Sequence, residues 1–527
     1  MEYKKLGKIL GKIMILEAIL MLAPLTICFI YQESFIHVLA FLIPIIALTA
    51  IGFLLQKPKP ERNNLYQKEG FALTAMVWII MTLFGAIPFV INGDIPNYVD
   101  ACFEMMSGFT TTGSSVITDI TALSHSTLFW RSFSHWIGGM GILVFVLIFI
   151  PESDDGSSMH LLRAESPGPQ VGKIVSKMKV TTRILYLIYL GMTALQIIIL
   201  CCDPITDYTA MCNDLGAEAA NAYRDDKVFH AFLTTFGCAG TGGFGFVPGS
   251  MEYFTPFAQY VVSVFLILFG CNFSLYYLLL IGKVRDVLRS EEFRCYFLIV
   301  GAAVGFVFLS LVGKIEAFPQ IYNAEESFRH SLFQISSLMT TAGYTTTDYN
   351  VWPMLAKTTL IMVMFIGAMA GSTAGGIKVS RIVMAMKGAY INVRKLINPR
   401  YVPKEKFEGK TLEQKTINDV FAFITLYFFI FLAGIFLLSF DGVNGTVVQI
   451  ASDAGNYEVK HGFFSNFSAV LTCISNVGPA FEAVGPYSSF AGYNDFSTVI
   501  LTFLMMLGRL EILPVLILFN RRTWKKV

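Results

Sequence analysis

Four short turns along this sequence place a threonine or an asparagine one or two residues ahead of a glycine. Each turn follows a semi-polar segment of medium length and is flanked by long apolar segments. The turns are Thr111-Thr112-Gly113, Gly240-Thr241-Gly242, Thr341-Ala342-Gly343 and Asn476-Val477-Gly478. A backbone turn at membrane depth occurs only where it lines a water-filled cavity or is buried in protein. Four such turns therefore predict a ring of carbonyl oxygens around one axis, which is the chemistry that selects cations.

Glycine suits these turns because it adopts positive φ without strain, which lets carbonyl groups point toward an axis. A single Thr-x-Gly is a common loop and carries little information. Four copies, each between a short helix and a long one, favour a pore over four unrelated loops. The short helices would run inward, so their C-terminal ends, each with roughly half a negative charge, would favour a cation over an anion at the membrane centre.

The composition indicates a membrane protein. Of the 527 residues, 54% are hydrophobic and only 14% are charged, which is too apolar for a soluble chain of this size. Crossing a bilayer takes about 20 apolar residues, and ten segments qualify: 9–30, 35–55, 70–91, 130–150, 184–202, 257–282, 295–313, 358–390, 418–440 and 496–520. Four shorter segments, each ending at a glycine turn, are predicted to be re-entrant helices: 98–112, 227–240, 326–341 and 463–476.

Charge alternates along the chain in step with these segments. Lysine and arginine gather at both termini and at 57–68, 163–183, 283–294 and 381–415, whereas the segments that carry the glycine turns are rich in aspartate and glutamate. Loops rich in lysine and arginine stay in the cytoplasm. Both termini are therefore predicted to be cytoplasmic, and all four re-entrant segments to enter from outside.

The predicted fold is an all-α polytopic membrane protein, with two leading helices and four parallel repeats of helix, pore loop and helix around one central pore, as in K⁺ channels. The repeats share one orientation, so an axis along the membrane normal would relate them. The predicted boundaries are 1–60 for the leading transmembrane helices, 61–160 for pore repeat 1, 161–285 for repeat 2, 286–400 for repeat 3 and 401–527 for repeat 4.

A glycine-rich stretch interrupts the eighth predicted span. Gly367, Gly371, Gly375 and Gly376 occur among small residues, with Lys378 just beyond them. Close helix packing through small residues is one explanation. The other, which we favour, is an unwound segment beneath the turns that acts as a gate. Lys378 and Arg381 would then mark the cytoplasmic end of the span.

Two charged residues lie within the last predicted span. Arg509 is near the middle of 496–520, and Glu511 follows it. Charges inside a span are costly and usually face a cavity or one another, although they could also snorkel to the interface. We predict that Arg509 faces the cavity and repels cations in a closed state. In the fourth span, the glycines of 134–141 permit close packing, and His135 is interpreted as a packing residue.

Other chemistries find no support in the sequence. Residues 240–245 fit G-x-G-x-x-G without a preceding strand, and 371–376 approach a P-loop but have Ile377 where lysine is required. There is no H-E-x-x-H, no C-x-x-C and no nucleophile elbow. The net charge of +2 gives no polybasic surface. Neither an enzyme nor a nucleic-acid partner is predicted.

Taken together, these motifs resemble the Trk/Ktr/HKT superfamily of cation transporters. The four turns carry the resemblance together with the residues that follow them, in Thr241-Gly242-Gly243-Phe244, Thr341-Ala342-Gly343-Tyr344 and Asn476-Val477-Gly478-Pro479-Ala480. Three further stretches, 134–141, 371–378 and 508–514, resemble the TrkH branch, as do the two leading helices. The resemblance covers essentially the whole chain.

The resemblance implies a multi-pass protein of the bacterial inner membrane that takes up K⁺, with K⁺ bound at the residues of the four turns and no covalent cofactor. By position, Gly113, Gly242, Gly343 and Gly478 match the filter glycines, the stretch 367–376 matches an intramembrane gating loop, and Arg509 matches a cavity arginine. Glycine at all four positions accompanies K⁺ over Na⁺ in this superfamily. The implied partners are a second copy, giving a homodimer, a ring of cytosolic nucleotide-binding (TrkA-like) regulatory subunits, and the lipid bilayer.

One departure and two alternatives accompany this resemblance. Gly240 stands where the superfamily often has serine or threonine, which puts a hydroxyl role there in doubt. The first alternative is a Na⁺-coupled or less selective K⁺/Na⁺ transporter of the same superfamily. The second is an alternating-access carrier of organic solutes, which the parallel repeats disfavour because carriers commonly have inverted ones.

Overall fold

The computed structural model describes residues 2–59, 67–141, 178–202, 206–208, 211–212, 226–247, 249–313, 322–400, 405–453, 455–521 and 523–524. The leading helices are α1 (Tyr3–Leu20), α2 (Leu22–Ile30) and α3 (Phe35–Gln56). Helix α1 packs closely on α3, because Gly11 and Gly52 bring the two backbones together, so that a Cβ at Gly52 would lie 2.8 Å from the Gly11 carbonyl oxygen.

Repeats 1 and 2 follow the same plan, a long helix, a short buried helix and a second long helix. Repeat 1 consists of α4 (Gln67–Gly85), α5 (Ile87–Ile91), α6 (Tyr98–Phe109) and α7 (His125–Gly139). Repeat 2 consists of α8 (Met178–Leu200), α9 (Lys227–Gly240), α10 (Pro256–Phe269), α11 (Phe273–Leu280) and α12 (Val284–Arg289). The domain boundary predicted between 160 and 161 lies outside the described residues.

Repeats 3 and 4 elaborate this plan. Repeat 3 consists of α13 (Glu291–Leu311), α14 (Ala324–Met339), α15 (Met354–Ile366) and α16 (Val379–Ile397). Repeat 4 consists of β1 (Lys406–Phe407), β2 (Lys410–Thr411), α17 (Gln414–Leu438), β3 (Val447–Ser452), β4 (Gly455–Lys460), α18 (Phe463–Ser475), α19 (Asp495–Arg509) and α20 (Leu513–Phe519). Both strand pairs are antiparallel hairpins, with Lys406 opposite Thr411 and Val447 opposite Lys460. Three single turns of 3₁₀ helix are Tyr349–Val351, Glu482–Val484 and Phe490–Gly492.

The four short helices lie where re-entrant helices were predicted, at α6, α9, α14 and α18, and most of their residues are buried. Side chains fix where two of them begin. Asn97 accepts a hydrogen bond from the Val99 amide at 2.9 Å. Asn323 and Glu326 form a reciprocal capping box at the start of α14. These caps satisfy amides that a helix start leaves without partners.

Among the described residues, six helices are long and apolar enough to span a membrane, or seven if the bent pair α10–α11 is counted as one span. Three predicted spans are interrupted by a sharp bend or an irregular segment. The span 257–282 bends by 92° between α10 and α11. The span 358–390 is interrupted between α15 and α16, as its glycines suggested, and 496–520 is interrupted after Arg509. Residues 142–150 of the fourth predicted span lie outside the described part.

Large apolar side chains remain exposed on the outer surface of the bundle. Examples are Phe53 on α3, which is 58% exposed, and Phe429 on α17, which is 68% exposed. Exposed apolar area on this scale, on helices of spanning length, is what contact with lipid tails requires. The described helices therefore form a multi-pass membrane bundle with the four short helices inside it.

Candidate ion pathway

Each short helix ends in the same backbone conformation. A residue one or two positions beyond the helix end adopts left-handed φ of 54 to 58°, at Thr111, Thr241, Thr341 and Asn476. Two residues further on, a glycine has φ between 70 and 110°, at Gly113, Gly243, Gly343 and Gly478. The four turns are therefore one structural motif repeated four times.

This repetition corrects the predicted register of the second turn by one residue. In each turn, the residue between the left-handed residue and the glycine donates its amide to the carbonyl oxygen five positions earlier, at 2.8–2.9 Å. These donors are Thr112, Gly242, Ala342 and Val477. The second segment is thus Thr241-Gly242-Gly243 rather than Gly240-Thr241-Gly242. Gly243 is the counterpart of Gly113, and Gly240 is the last residue of α9. The sequence was ambiguous because three of four consecutive residues, 240–243, are glycine.

In the corrected register, Thr241 lies two residues before the glycine of the second turn, at the position where the superfamily often has serine or threonine. Gly240 is therefore no longer a departure from the superfamily pattern. The structure also explains why Gly240 has no side chain. A Cβ atom there would overlap the backbone carbonyl of His135 on α7. Glycine at 240 is therefore required by the close approach of α7 to α9.

The four segments close into a ring. A Cβ atom added to the glycine of each segment would meet a carbonyl oxygen of the next segment. The contacts are Gly113 to Gly242, Gly243 to Ala342, Gly343 to Val477 and Gly478 to Thr112. This order runs through repeats 1, 2, 3, 4 and back to 1, so carbonyl oxygens of all four segments lie around one axis.

Buried side chains join neighbouring segments across the closure of the ring. Asn476 donates from Nδ2 to Thr112 Oγ1 at 2.9 Å and to the Met505 carbonyl at 2.8 Å. Ser114 donates to the Gly478 carbonyl at 2.8 Å. Asn476 and Thr112 are fully buried. Repeats 4 and 1, which are far apart in sequence, are thereby held together at the level of the turns.

The glycine-rich stretch lies directly below the turns. It is an irregular loop between α15 and α16, and its Gly375 amide donates to Thr341 Oγ1 at 2.6 Å. A Cβ at Gly375 would meet the Ser475 carbonyl at the end of α18. Gly367 and Gly376 lie against each other, with positive φ at both. Gly371 is placed differently, because its neighbour is Asn272 at the bend between α10 and α11.

Arg509 reaches across the same level from repeat 4. It is the last residue of α19 and not the middle of a continuous span. Its guanidinium donates to Thr111 Oγ1 at 3.2 Å, to the Thr373 carbonyl in the loop at 2.7 Å, and to the Gly139 carbonyl at 2.8 Å, and it also bonds the Gly138 carbonyl. The carbonyls at the C-terminal end of α7 are a favourable site for a cation. Arg509 thus links a turn, the loop and α7.

Lys378 does not mark the cytoplasmic end of a span, contrary to the sequence prediction. It is 1% exposed, has φ of 76°, and donates its amine to the Ala374 carbonyl within the loop. Glu511, the second charged residue of the last predicted span, pairs with Arg381 at 2.5 Å. The ion pair joins the end of α19 to the start of α16.

Glu292 is a loop contact that the sequence did not suggest. It lies in the first turn of α13 and is 5% exposed. Its Oε1 accepts from the Ala370 amide in the loop at 2.7 Å and from the Ser380 amide at the start of α16 at 3.2 Å. A carboxylate at a helix N-terminus is favourable. The sequence could not predict this contact, because Glu292 is one acidic residue among many and its partners are backbone amides of a distant segment.

Carboxylates beyond the turns are engaged in hydrogen bonds. Asp453 accepts from Thr347 Oγ1 at 2.6 Å and from the Asp348 amide at 3.0 Å. Asp348 accepts from the Asn350 amide at 3.0 Å and from the Tyr457 hydroxyl. Burial raises the pKa of Asp348. These two residues fasten the β3–β4 hairpin to repeat 3, so structural bonding accounts for them without a bound cation.

The fold and the ring of turns define the class of the protein, a multi-pass membrane protein built from pore-loop repeats. The model of the TrkH cation transport protein family matches residues 37–526. The Trk system potassium uptake protein TrkH of Escherichia coli (strain K12) is 30% identical over 533 residues, covering 100% of each chain. The TrkG protein of the same strain is 29% identical, covering 98% of this chain and 97% of the relative.

A solved structure agrees with these sequence relatives. The crystal structure of the potassium transporter TrkH from Vibrio parahaemolyticus superposes with a TM-score of 0.81, at 28% identity and with 100% of each chain covered. The chain therefore belongs to the TrkH family of cation transport proteins, as the sequence motifs predicted. The predicted fold class of helix–pore-loop–helix repeats is likewise confirmed.

Proposed function

We propose that this protein takes up K⁺ across the bacterial inner membrane through a selectivity filter made of the four turns. The observation that carries the proposal is the closed ring of carbonyl oxygens, to which each repeat contributes one segment. Its relatives named as potassium uptake proteins in E. coli support K⁺ as the transported ion. The filter residues are Thr111, Thr112, Gly113, Thr241, Gly242, Gly243, Thr341, Ala342, Gly343, Asn476, Val477 and Gly478.

In this mechanism K⁺ sheds its water at the outer end of the filter, and carbonyl oxygens replace the hydration shell. Helices α6, α9, α14 and α18 all end at the turns. Their C-terminal ends carry partial negative charge, which favours a cation in the cavity below. With the filter facing outward, an inside-negative potential drives inward flux by about 2.3 kcal/mol per charge per 100 mV.

The gate in this proposal is the loop between α15 and α16 together with Arg509. Both lie next to the turns, and the loop bonds Thr341 while Arg509 bonds Thr111. A fixed guanidinium beside the pathway repels a cation through unscreened charge. Conduction would then require that the loop and Arg509 move away from the axis.

The assembly follows the family resemblance. We propose a homodimer in the inner membrane, with both termini and the segment after α16 on the cytoplasmic side, and a ring of TrkA-like nucleotide-binding subunits below. Support comes from the relatives' description as parts of a Trk system and from the alternation of basic and acidic segments. Non-enzymatic transport fits the absence of nucleophile and metalloprotease motifs from the sequence.

The decisive experiment is Rb⁺ uptake in a bacterium that lacks its own K⁺ transporters. Expression of this chain should restore growth at low K⁺ and give Rb⁺ uptake that excess K⁺ abolishes and excess Na⁺ leaves largely intact. Equal competition by Na⁺ would favour the less selective alternative. Failure to restore uptake, with the protein present in the membrane and its regulatory subunit co-expressed, would contradict the proposal.

A further inference from the structure

Two side chains of α7, one helical turn apart, enclose a residue that directly follows the second turn. Arg131 and His135 are 2% and 0% exposed, and Phe244 is 2% exposed. The guanidinium carbon of Arg131 lies 4.2 Å from the centre of the Phe244 ring, and the His135 ring centre lies 4.2 Å from it as well. A residue of repeat 2 is thus held by a helix of repeat 1.

Hydrogen bonds fix the state of the His135 ring. Nδ1 is 2.8 Å from the Gly108 carbonyl oxygen, and Nε2 is 3.3 Å from the Phe244 amide nitrogen. A carbonyl oxygen only accepts and an amide N–H only donates. His135 must therefore be neutral, with its hydrogen on Nδ1 and its lone pair on Nε2. In this form it connects the last turn of α6 to the backbone immediately after Gly243.

Arg131 is held in place from the other side. Its charge is matched by the buried carboxylate of Glu104 on α6, at 2.8 Å from Nε and 2.6 Å from Nη2. Glu104 also accepts from the Val116 amide and from Ser115 Oγ, each at 3.0 Å. The pair thereby anchors the irregular segment that follows the first turn, while Arg131 covers Phe244 after the second turn.

We propose that His135, supported by Arg131, is a positioning residue that sets the preference for K⁺ over Na⁺. It would do so by fixing the second filter segment relative to the first. A Cβ added to Gly242 would overlap the His135 ring, which shows how closely the ring backs the filter. The inference rests on the proposed function, because it assigns selectivity to the same ring of carbonyls.

A purely space-filling role makes a different prediction from a hydrogen-bonding one. His135→Gln retains one donor and one acceptor at the end of a planar group. His135→Leu retains apolar volume but leaves the Phe244 amide without its partner. A packing role would tolerate leucine at least as well as glutamine, whereas a positioning role requires the reverse order.

The test measures Rb⁺ uptake and its inhibition by Na⁺ for wild type and variants, in cells and in proteoliposomes of purified protein. His135→Leu should lower the K⁺/Na⁺ preference by about fivefold, the scale of one lost buried hydrogen bond, and His135→Gln should stay within about twofold of wild type. His461→Leu is the matched control. It removes a buried histidine, 3% exposed, whose ring nitrogens have no hydrogen-bond partner in the described part of the chain and whose ring meets that of Tyr493 edge to face, so the preference should not change.

The outcomes separate this inference from the proposed function. A wild type without K⁺ preference contradicts the proposed function. A selective wild type with an unchanged His135→Leu variant overturns the positioning role, and so does an equal loss in the leucine and glutamine variants. Where His135→Leu does not fold, judged by size-exclusion chromatography, Phe244→Ala replaces it. That variant removes the enclosed ring, so a folded Phe244→Ala protein with wild-type preference would also overturn the proposal.

Discussion

At the scale of single residues, each of the four turns consists of a left-handed residue and, two positions later, a glycine with positive φ. Residue types alone identified three turns in the register that the structure has. In the second turn, the residues from Gly240 to Gly243 allowed two alignments with the other turns. The backbone φ angles distinguish the two, because Thr241 is left-handed and Gly243 has φ of 70°. The neighbour that excludes a side chain at Gly240 is His135, which lies over a hundred residues earlier in the sequence. Local sequence cannot supply such a contact.

Gly113→Ser is expected to weaken discrimination between K⁺ and Na⁺. Gly113 has φ of 84°, and its added Cβ would overlap the Gly242 carbonyl oxygen. A left-handed conformation costs an L-residue roughly 1–2 kcal/mol, and relief of the overlap must displace a proposed ion ligand. Gly93→Ser is the matched control, since Gly93 has φ of 85° but no atom of the described residues lies within 4 Å of its added Cβ. An unchanged Rb⁺/Na⁺ uptake ratio in Gly113→Ser would contradict its assignment to the filter.

Arg509→Ala is expected to raise basal flux. The substitution removes a positive charge beside the pathway and releases the Thr373 carbonyl of the loop and the C-terminal carbonyls of α7. Rb⁺ flux into proteoliposomes without regulatory subunits should increase severalfold. Arg509→Lys keeps the positive charge but cannot reproduce the several N–H donors of the planar guanidinium. The Rb⁺ flux of this variant should therefore lie between that of the wild type and that of Arg509→Ala. No increase in the alanine variant would argue against a barrier role.

At the scale of elements, the interruption between α15 and α16 was predictable, because four glycines among small residues are incompatible with a regular helix interior. Its placement was not. The loop is fixed by contacts from repeats 3 and 4, among them those of Glu292, Thr341 and Arg509. Each lies well away from the loop in sequence, and all three bond backbone groups of the loop, which residue types do not reveal.

Removal of the Glu292 carboxylate is expected to loosen this loop. Glu292→Ala would leave the buried amides of Ala370 and Ser380 without their acceptor, at a cost of about 1–3 kcal/mol. We expect a lower thermal unfolding temperature and higher basal Rb⁺ flux. Glu292→Gln, which keeps an oxygen acceptor, should lie closer to wild type in both measurements.

The adjacent Glu291 provides the control for this element. Its ion pair with Lys387 is partly exposed, with side chains 29% and 25% exposed, and pairs of this kind contribute little to stability. Glu291→Ala should therefore leave both flux and unfolding temperature near wild type. If Glu292→Ala behaves like Glu291→Ala, the carboxylate does not restrain the loop.

At the scale of the whole molecule, apolar length and glycine turns were sufficient to locate the leading helices and all four short helices. They did not reveal the 92° bend between α10 and α11. At the bend, Asn272 caps α11 by accepting from the Ser274 amide at 2.8 Å, and a single asparagine in a mostly apolar run did not indicate a break. The break after Arg509 was missed for a similar reason, since Glu511 and Ile512 adopt positive φ without a glycine.

The orientation of the whole bundle remains a prediction from charge, and cysteine labelling tests it. Ala122 follows the first turn and Asn392 lies on α16, and both are exposed. In a background with the exposed Cys202 replaced by serine, Ala122→Cys should react with a membrane-impermeant maleimide added to intact spheroplasts. Asn392→Cys should react only after the membrane is opened, because the basic segment 381–415 is predicted to be cytoplasmic. The opposite labelling pattern would place the filter on the cytoplasmic side of the membrane. K⁺ drawn inward by the membrane potential would then reach the proposed gate before the filter, which contradicts the proposed orientation.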